Sequence, residues 1–213
     1  VFIAILLNEC SRKWQKRYQT LILIPHLLSY VVVSYIAYAF LGAENGMINN
    51  QILRPLGLDP ISFYTEDKYW PFILVFVNIW KTFGYSSIIY FASIIGIDRT
   101  YYEAAEVDGA SAWTQIWSIT LPLLKPVLIT MLLLSVGRIL YSDFGLFYQV
   151  PMDSGMLFNT TNTIDTFVYR GLLQTNDLGR AAAANFIQSV MGFFLVLGAN
   201  LIVRKVEKEY ALF

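Results

Sequence analysis

The chain has 213 residues, 56% hydrophobic and 14% charged, where soluble chains average about 45–50% and about 25%. Fifteen Lys and Arg balance fifteen Asp and Glu, so there is no global basic field for nucleic acid. One cysteine, Cys10, and one histidine, His26, exclude an internal disulfide and a His-built metal cluster, and no Gly-Lys pair exists to form a GxxxxGK[ST] phosphate loop.

Residues 1–7 are wholly apolar, yet at this length a helix reaches only ~10 Å, a third of the ~30 Å hydrocarbon core. They read as the tail of a cut span. Arg12, Lys13, Lys16 and Arg17 follow this run, whereas a signal peptide places its basic residues first. With no initiator Met, the chain is expected to be N-terminally truncated. Four complete apolar stretches follow, at 20–41, 71–97, 126–149 and 181–203, each long enough to cross a bilayer as a helix. The expected fold is therefore all-α, a polytopic transmembrane helical bundle.

Nine Lys and Arg lie in 8–19, 98–125 and 204–213, against four (Arg54, Lys68, Arg170, Arg180) in 42–70 and 150–180. This bias predicts that the first set is cytoplasmic. Trp14 and Trp70 then fall near opposite membrane boundaries, as interfacial anchors. The outer loop 42–70 is rich in Gly, Asn and Pro, with a short interfacial helix expected around 47–56. In 150–180 an amphipathic helix is expected over 163–174, with Ile164, Phe167, Val168 and Leu172 on one face. Both loops could contact an extracytoplasmic partner or merely cover the ends of the bundle.

Loop 98–125 is the most structured in pattern. Thr100 with Glu103 three residues on forms a capping box. Asp108-Gly109 breaks the helix so begun, and Ser111 can cap a second one. Trp113, Ile116 and Trp117 give that second helix one apolar face, able to lie against the bundle. Pro122 and Pro126 are expected to end this element and start the next span. The product is a helix–turn–helix along the cytoplasmic surface.

Within it Glu103-Ala104-Ala105, Gly109 after three residues, and Ile119 with Leu121-Pro122 after nine more resemble the EAA loop of membrane subunits of binding-protein-dependent ABC importers. Leu7-Asn8-Glu9, Pro25-His26, Trp80-Lys81 with Gly84, Asp108-Gly109-Ala110 and the Asn200, Arg204-Lys205 finish are similar to the oligosaccharide and polysaccharide branch of the maltose-type permeases. The resemblance covers essentially the whole chain. It implies a six-span protein lacking here its first span and most of its second, and a loop that acts as a coupling helix.

By that resemblance Glu103, Ala104, Ala105, Asp108, Gly109, Ala110, Ile119, Leu121 and Pro122 carry the coupling to two cytoplasmic ATPase subunits, which would hold ATP and Mg. The chain itself would bind no cofactor and catalyse nothing. Its other implied partners are a second, unlike permease subunit and an extracytoplasmic solute-binding protein, in a bacterial inner membrane, with a glycan as cargo.

Polar groups at mid-depth mark a substrate path, because a charge there costs at least ~2.5–3.5 kcal/mol. Lys81 and Arg138 lie near the midplane, with Asn78, Trp80, Tyr85, Ser135, Tyr141, Asp143, Asn185 and Gln188 nearby. Amides and charges suit sugar hydroxyls, and aromatic rings suit their C–H faces. Alternatively Lys81 or Arg138 pairs with Asp143, while Asn185 and Gln188 tie helices together. Two cations against one acid suggest an acidic cargo such as a uronate oligosaccharide. A proton-coupled secondary transporter is the rival class, with Asp143 as the one candidate relay.

Overall fold

The computed structural model describes residues 1–175 and 178–208; Asn176 and Asp177 of loop 150–180 and the last five residues of the tail 204–213 lie outside the described residues. The described residues contain helices and no strand. In chain order these are α1 (Phe2–Glu9), α2 (Arg12–Leu27), α3 (Tyr30–Leu41), α4 (Trp70–Ile95), α5 (Arg99–Val107), α6 (Ala112–Gln115), α7 (Leu121–Gly137), α8 (Phe158–Thr161), α9 (Ile164–Thr175) and α10 (Leu178–Val206). Among the described residues three helical stretches are long and apolar enough to cross a membrane, namely Asp67–Ile95, Ala112–Gly137 and Leu178–Val206. Only 17–28% of their most apolar windows is buried within the chain. Phe72, Phe76 and Ile79 on α4 and Phe186, Phe193 and Phe194 on α10 are exposed. A helix apolar on all sides and uncovered by its own chain belongs in lipid or against other helices.

Two of the four expected spans are interrupted. The stretch 20–41 divides into α2, which ends at Leu27, and α3, which begins at Tyr30. Ser29 is extended there, with its hydroxyl accepting from Val32 N at 3.3 Å, so a new helix starts where the apolar run continues. The stretch 126–149 is also not one helix. Its helix begins at Leu121 and ends at Gly137, and a separate π-helical turn covers Gly145–Gln149. Backbone groups in the gap are satisfied by side chains: Gln188 donates to Leu140 O at 2.8 Å, and Ser142 N donates to Asp165 at 2.7 Å. Irregular backbone at membrane depth persists only with such partners.

The chain forms two compact units. The first comprises 1–26, 82–139 and 192–213, and the second 27–81 and 140–191. In the first, Ala4, Leu7, Phe91, Ile94 and Leu124 form the buried core. Here α2 and α4 meet backbone to backbone at Gly84, where a Cβ would stand 1.8 Å from Ile22 O. In the second, Val33, Ala37, Leu41, Trp70, Leu74, Val77, Leu146, Val150 and Leu157 pack together. Trp70, expected as an interfacial anchor, is instead fully buried there and donates to Phe63 O at 2.6 Å. Its indole N–H is satisfied by a folded loop rather than by a headgroup region. The helix expected around 47–56 is present as a π-helical turn Ile48–Leu53 followed by a 3-10 turn Arg54–Leu56. The amphipathic helix expected at 163–174 is α9.

Asn49 fastens the first of these loops. Fully buried, it donates to Gly42 O, Ala43 O and Ile61 O and accepts from Ile61 N at 2.9–3.3 Å. Replacing Asn49 with alanine strands several buried backbone groups at once. The expected loss is about 3 kcal/mol, read as a lower melting temperature and faster proteolysis within 42–69. Arg170 fastens the second loop, holding Asp153 at 2.8 Å and donating to Asn162 at 2.8 Å.

Candidate functional site

The hairpin of α5 and α6 lies wholly in the first unit. Asp98, not Thr100, caps α5: its carboxylate accepts from Thr100 N at 3.0 Å. That hydrogen bond holds the Asp98 carboxyl below its usual range. The helix therefore starts two residues earlier than expected, with a simple N-cap in place of a capping box, because an acid preceding Thr100 reaches the free amides first. At the other end Gly109 adopts φ +78°. Gly109 N donates to Glu106 O at 3.0 Å and Ala110 N to Ala105 O at 2.9 Å. These two bonds make a Schellman turn, whose left-handed residue is glycine because a Cβ is penalised there. Ser111 caps α6 as expected, accepting from Thr114 N at 3.2 Å.

The legs are tied by Tyr102 and Thr120, whose hydroxyls lie 2.9 Å apart. Pro122 and Pro126 do not separate the hairpin from the following span. A π-helical turn, Ile116–Thr120, joins α6 to α7 and places Pro122 in the first turn of α7, with Pro126 inside it. The wider turn accommodates a residue that lacks an N–H and would otherwise clash with the preceding turn. The second leg and the span thus run as one helical stretch, Ala112–Gly137.

Glu103, Ala104, Asp108, Gly109 and Pro122 are exposed, and Ala105, Ala110, Ile119 and Leu121 are half-buried. Trp113 and Trp117 stack edge to face 5.8 Å apart. At 69% and 57% exposed, they are not covered by their own chain, contrary to the expectation that this face lies against the bundle. A groove of about 670 Å³ separates the hairpin from the ends of α1 and α4, lined by Asn8, Glu9, Arg99, Tyr102, Glu103 and Glu106 among others. Asn8 and Glu9 were legible only as part of a family phrase; their place beside Glu103 depends on α1 packing against residues over ninety positions away.

The two units divide the expected path residues. Tyr85, Ser135 and Arg138 belong to the first; Asn78, Trp80, Lys81, Tyr141, Asp143, Asn185 and Gln188 belong to the second. In the first, Tyr85 stacks on His26 with centroids 4.7 Å apart, and the Ser135 hydroxyl is used on Met131 O at 2.8 Å. In the second, Asn78, Tyr141, Asp143 and Asn185 are exposed and Trp80 packs against the core. Tyr141 and Ser189 share a hydrogen bond of 2.8 Å. Lys81 and Gln188 are buried, 6% and 2% exposed. Tyr30 was absent from the expected set, yet its hydroxyl donates to Asp143 at 2.6 Å. Nothing in the local sequence marks it, since aromatics are frequent throughout.

A helical membrane protein carrying an exposed, glycine-turned hairpin continued helically into a span is the class these features define. Residues 1–208 match the family of binding-protein-dependent transport system inner membrane components, and the chain belongs to that family. It is 34% identical over 215 residues to the polygalacturonan/rhamnogalacturonan transport system permease protein YteP of Bacillus subtilis, covering 98% of this chain and 64% of that one. With protein LplB of Bacillus subtilis the identity is 32% over 210 residues, covering 98% and 65%. The chain therefore spans slightly less than two thirds of the length of these curated relatives. Among solved structures, a bacterial alginate ABC transporter, crystallised with its alginate pentasaccharide-bound periplasmic protein, superposes with a TM-score of 0.87 at 34% identity, covering 97% of this chain and 71% of that one.

Proposed function

We propose that the chain is the permease core of an ATP-driven ABC importer and forms part of the path for an oligosaccharide or polysaccharide fragment. Residues 1–213 would constitute one transmembrane domain, with the hairpin and the C-terminus on the cytoplasmic side. The observation that carries this reading is the Schellman-turned hairpin, bearing Glu103, Ala104, Ala105 and Gly109 and continuous with a span that starts at the motif's Ile119, Leu121 and Pro122. Two ATPase subunits binding ATP and Mg would seat it, while a second permease and a solute-binding protein complete the complex. Closure of the ATPase pair would then bias the bundle between two states. The chain itself has the role of a conduit, not of a catalyst.

The finer proposal is that the cargo is acidic. Support comes from relatives: a transporter similar to this chain imports the acidic polysaccharide alginate, and another relative is named for polygalacturonan. A relative named for lactose is 31% identical over 173 residues, so neutral oligosaccharides are the competing cargo class. The test is to purify the full-length protein with its neighbours, reconstitute it, and measure ATPase stimulation by binding protein loaded with uronate or neutral oligosaccharides. Co-purifying ATPase subunits and stimulation by uronates are expected. Stimulation by neutral glycans alone would count against an acidic cargo, and a self-sufficient monomer would remove the importer reading.

A further inference from the structure

Both span interruptions expose backbone in the second unit, and one group of side chains reaches both. At the first, the Lys81 ammonium donates to Leu28 O at 2.6 Å and stands 4.7 Å from the centre of the Tyr30 ring. At the second, one Asp143 oxygen accepts from Leu146 N at 3.3 Å, and the other accepts the Tyr30 hydroxyl at 2.6 Å. The Tyr30 ring also rests on Gly145, where a Cβ would fall 2.2 Å from a ring carbon. One aromatic side chain therefore meets a cation at its face, an acid at its hydroxyl and the backbone of the second segment at its edge.

The energetics favour this arrangement over a lysine held ready for solute. A carbonyl at a broken helix end needs a donor, and an ammonium at membrane depth needs acceptors and counter-charge. Lys81 finds its acceptor in Leu28 O, rests on the electron-rich face of Tyr30, and has the Asp143 carboxylate as its nearby opposite charge. A buried cation already committed in this way is poorly placed to bind an anionic cargo.

We propose that Lys81, Tyr30 and Asp143 form a positioning relay that fixes the two interruptions against each other, Lys81 acting through Tyr30 and not on the transported solute. Only the consequence, a shaped path, rests on the permease reading. The relay is testable without cargo, by hydrogen exchange on the detergent-purified full-length protein with its partner subunits and no glycan present. Lys81→Met should accelerate exchange roughly tenfold at residues 33–36, as expected when a charged hydrogen bond is lost. The same variant should accelerate it at 146–149. Tyr30→Phe should reproduce the second effect, and in its background Lys81→Met should add nothing at 146–149.

Acceleration confined to 33–36, or persisting at 146–149 in the Tyr30→Phe background, overturns the relay; so does unchanged exchange at both. If Lys81→Met yields no folded protein, Tyr30→Phe and Asp143→Asn decide. Combined, they should be no worse at 146–149 than either alone, and additive effects refute the proposal. None of these outcomes depends on whether the complex imports glycans.

Discussion

Replacing Gly84 with alanine is expected to destabilise the first unit strongly. A Cβ at this position would fall 1.8 Å from Ile22 O and 2.6 Å from the Ile22 carbonyl carbon. Neither atom belongs to a flexible side chain, so relief requires α2 and α4 to move apart bodily. Overpacking of an otherwise tight contact costs about 1–3 kcal/mol where side chains can yield; here backbone faces backbone, and the cost should reach at least the upper end. The stacked His26 and Tyr85 rings, 4.7 Å apart beside this crossing, would be separated by the same movement. Size-exclusion profiles and melting temperatures of detergent-purified protein provide the measurement. Aggregation, or a melting temperature lowered by several degrees, is expected for Gly84→Ala, and complete loss for Gly84→Val. A Gly84→Ala protein that melts like wild type would mean that the helices do not cross in backbone contact.

The rough location of most helices was legible because it follows from apolar run length and glycine or serine punctuation, but their number was not, since two apolar runs that read as single spans are interrupted. The 163–174 helix, the Ser111 cap and the Gly109 turn were all readable from a few neighbouring residues. Most of what escaped reading depends on residues distant in sequence, although the Ser29 cap is local. An apolar count passes through Ser29 without registering that its hydroxyl starts a new helix. The partners that make each interruption tolerable are Lys81, 53 positions from Leu28, and Asp165, 23 positions from Ser142. Gly84 illustrates the same limit, since a glycine within an apolar helix looks identical whether it faces lipid or a crossing backbone. Among the expected path residues, type and depth were readable, whereas commitment was not. Lys81 and Gln188 turn inward to satisfy carbonyls, while Asn78 and Asn185 remain exposed.

On the importer reading, Glu103→Lys and Gly109→Trp are each expected to reduce substrate-stimulated ATPase activity and transport by at least tenfold, with membrane insertion retained. Thermal stability should stay close to wild type for Glu103→Lys, and the melting temperature should fall by only a few degrees for Gly109→Trp. Glu103 is exposed and lines the groove with Glu9, Glu106 and Arg99, so reversing its charge disturbs no buried contact within the chain. A charge reversal at a docking surface instead places like charges together, if a basic group seats Glu103, at a cost of several kcal/mol. At Gly109 the argument is sharper, because a Cβ there meets nothing within 4 Å. Inside the chain a side chain costs only the strain of a left-handed residue, about 1–2 kcal/mol. Gly109→Ala carries that strain without the bulk and should keep most activity, so the difference between alanine and tryptophan isolates what the turn must fit into. Because the second leg continues as one helical stretch through Ala112–Gly137, a displaced tip is expected to tilt a span. Vesicles containing the complete complex, assayed for ATP hydrolysis with and without loaded binding protein, supply the measurement. Undiminished stimulation in both Glu103→Lys and Gly109→Trp would show that the hairpin transmits nothing.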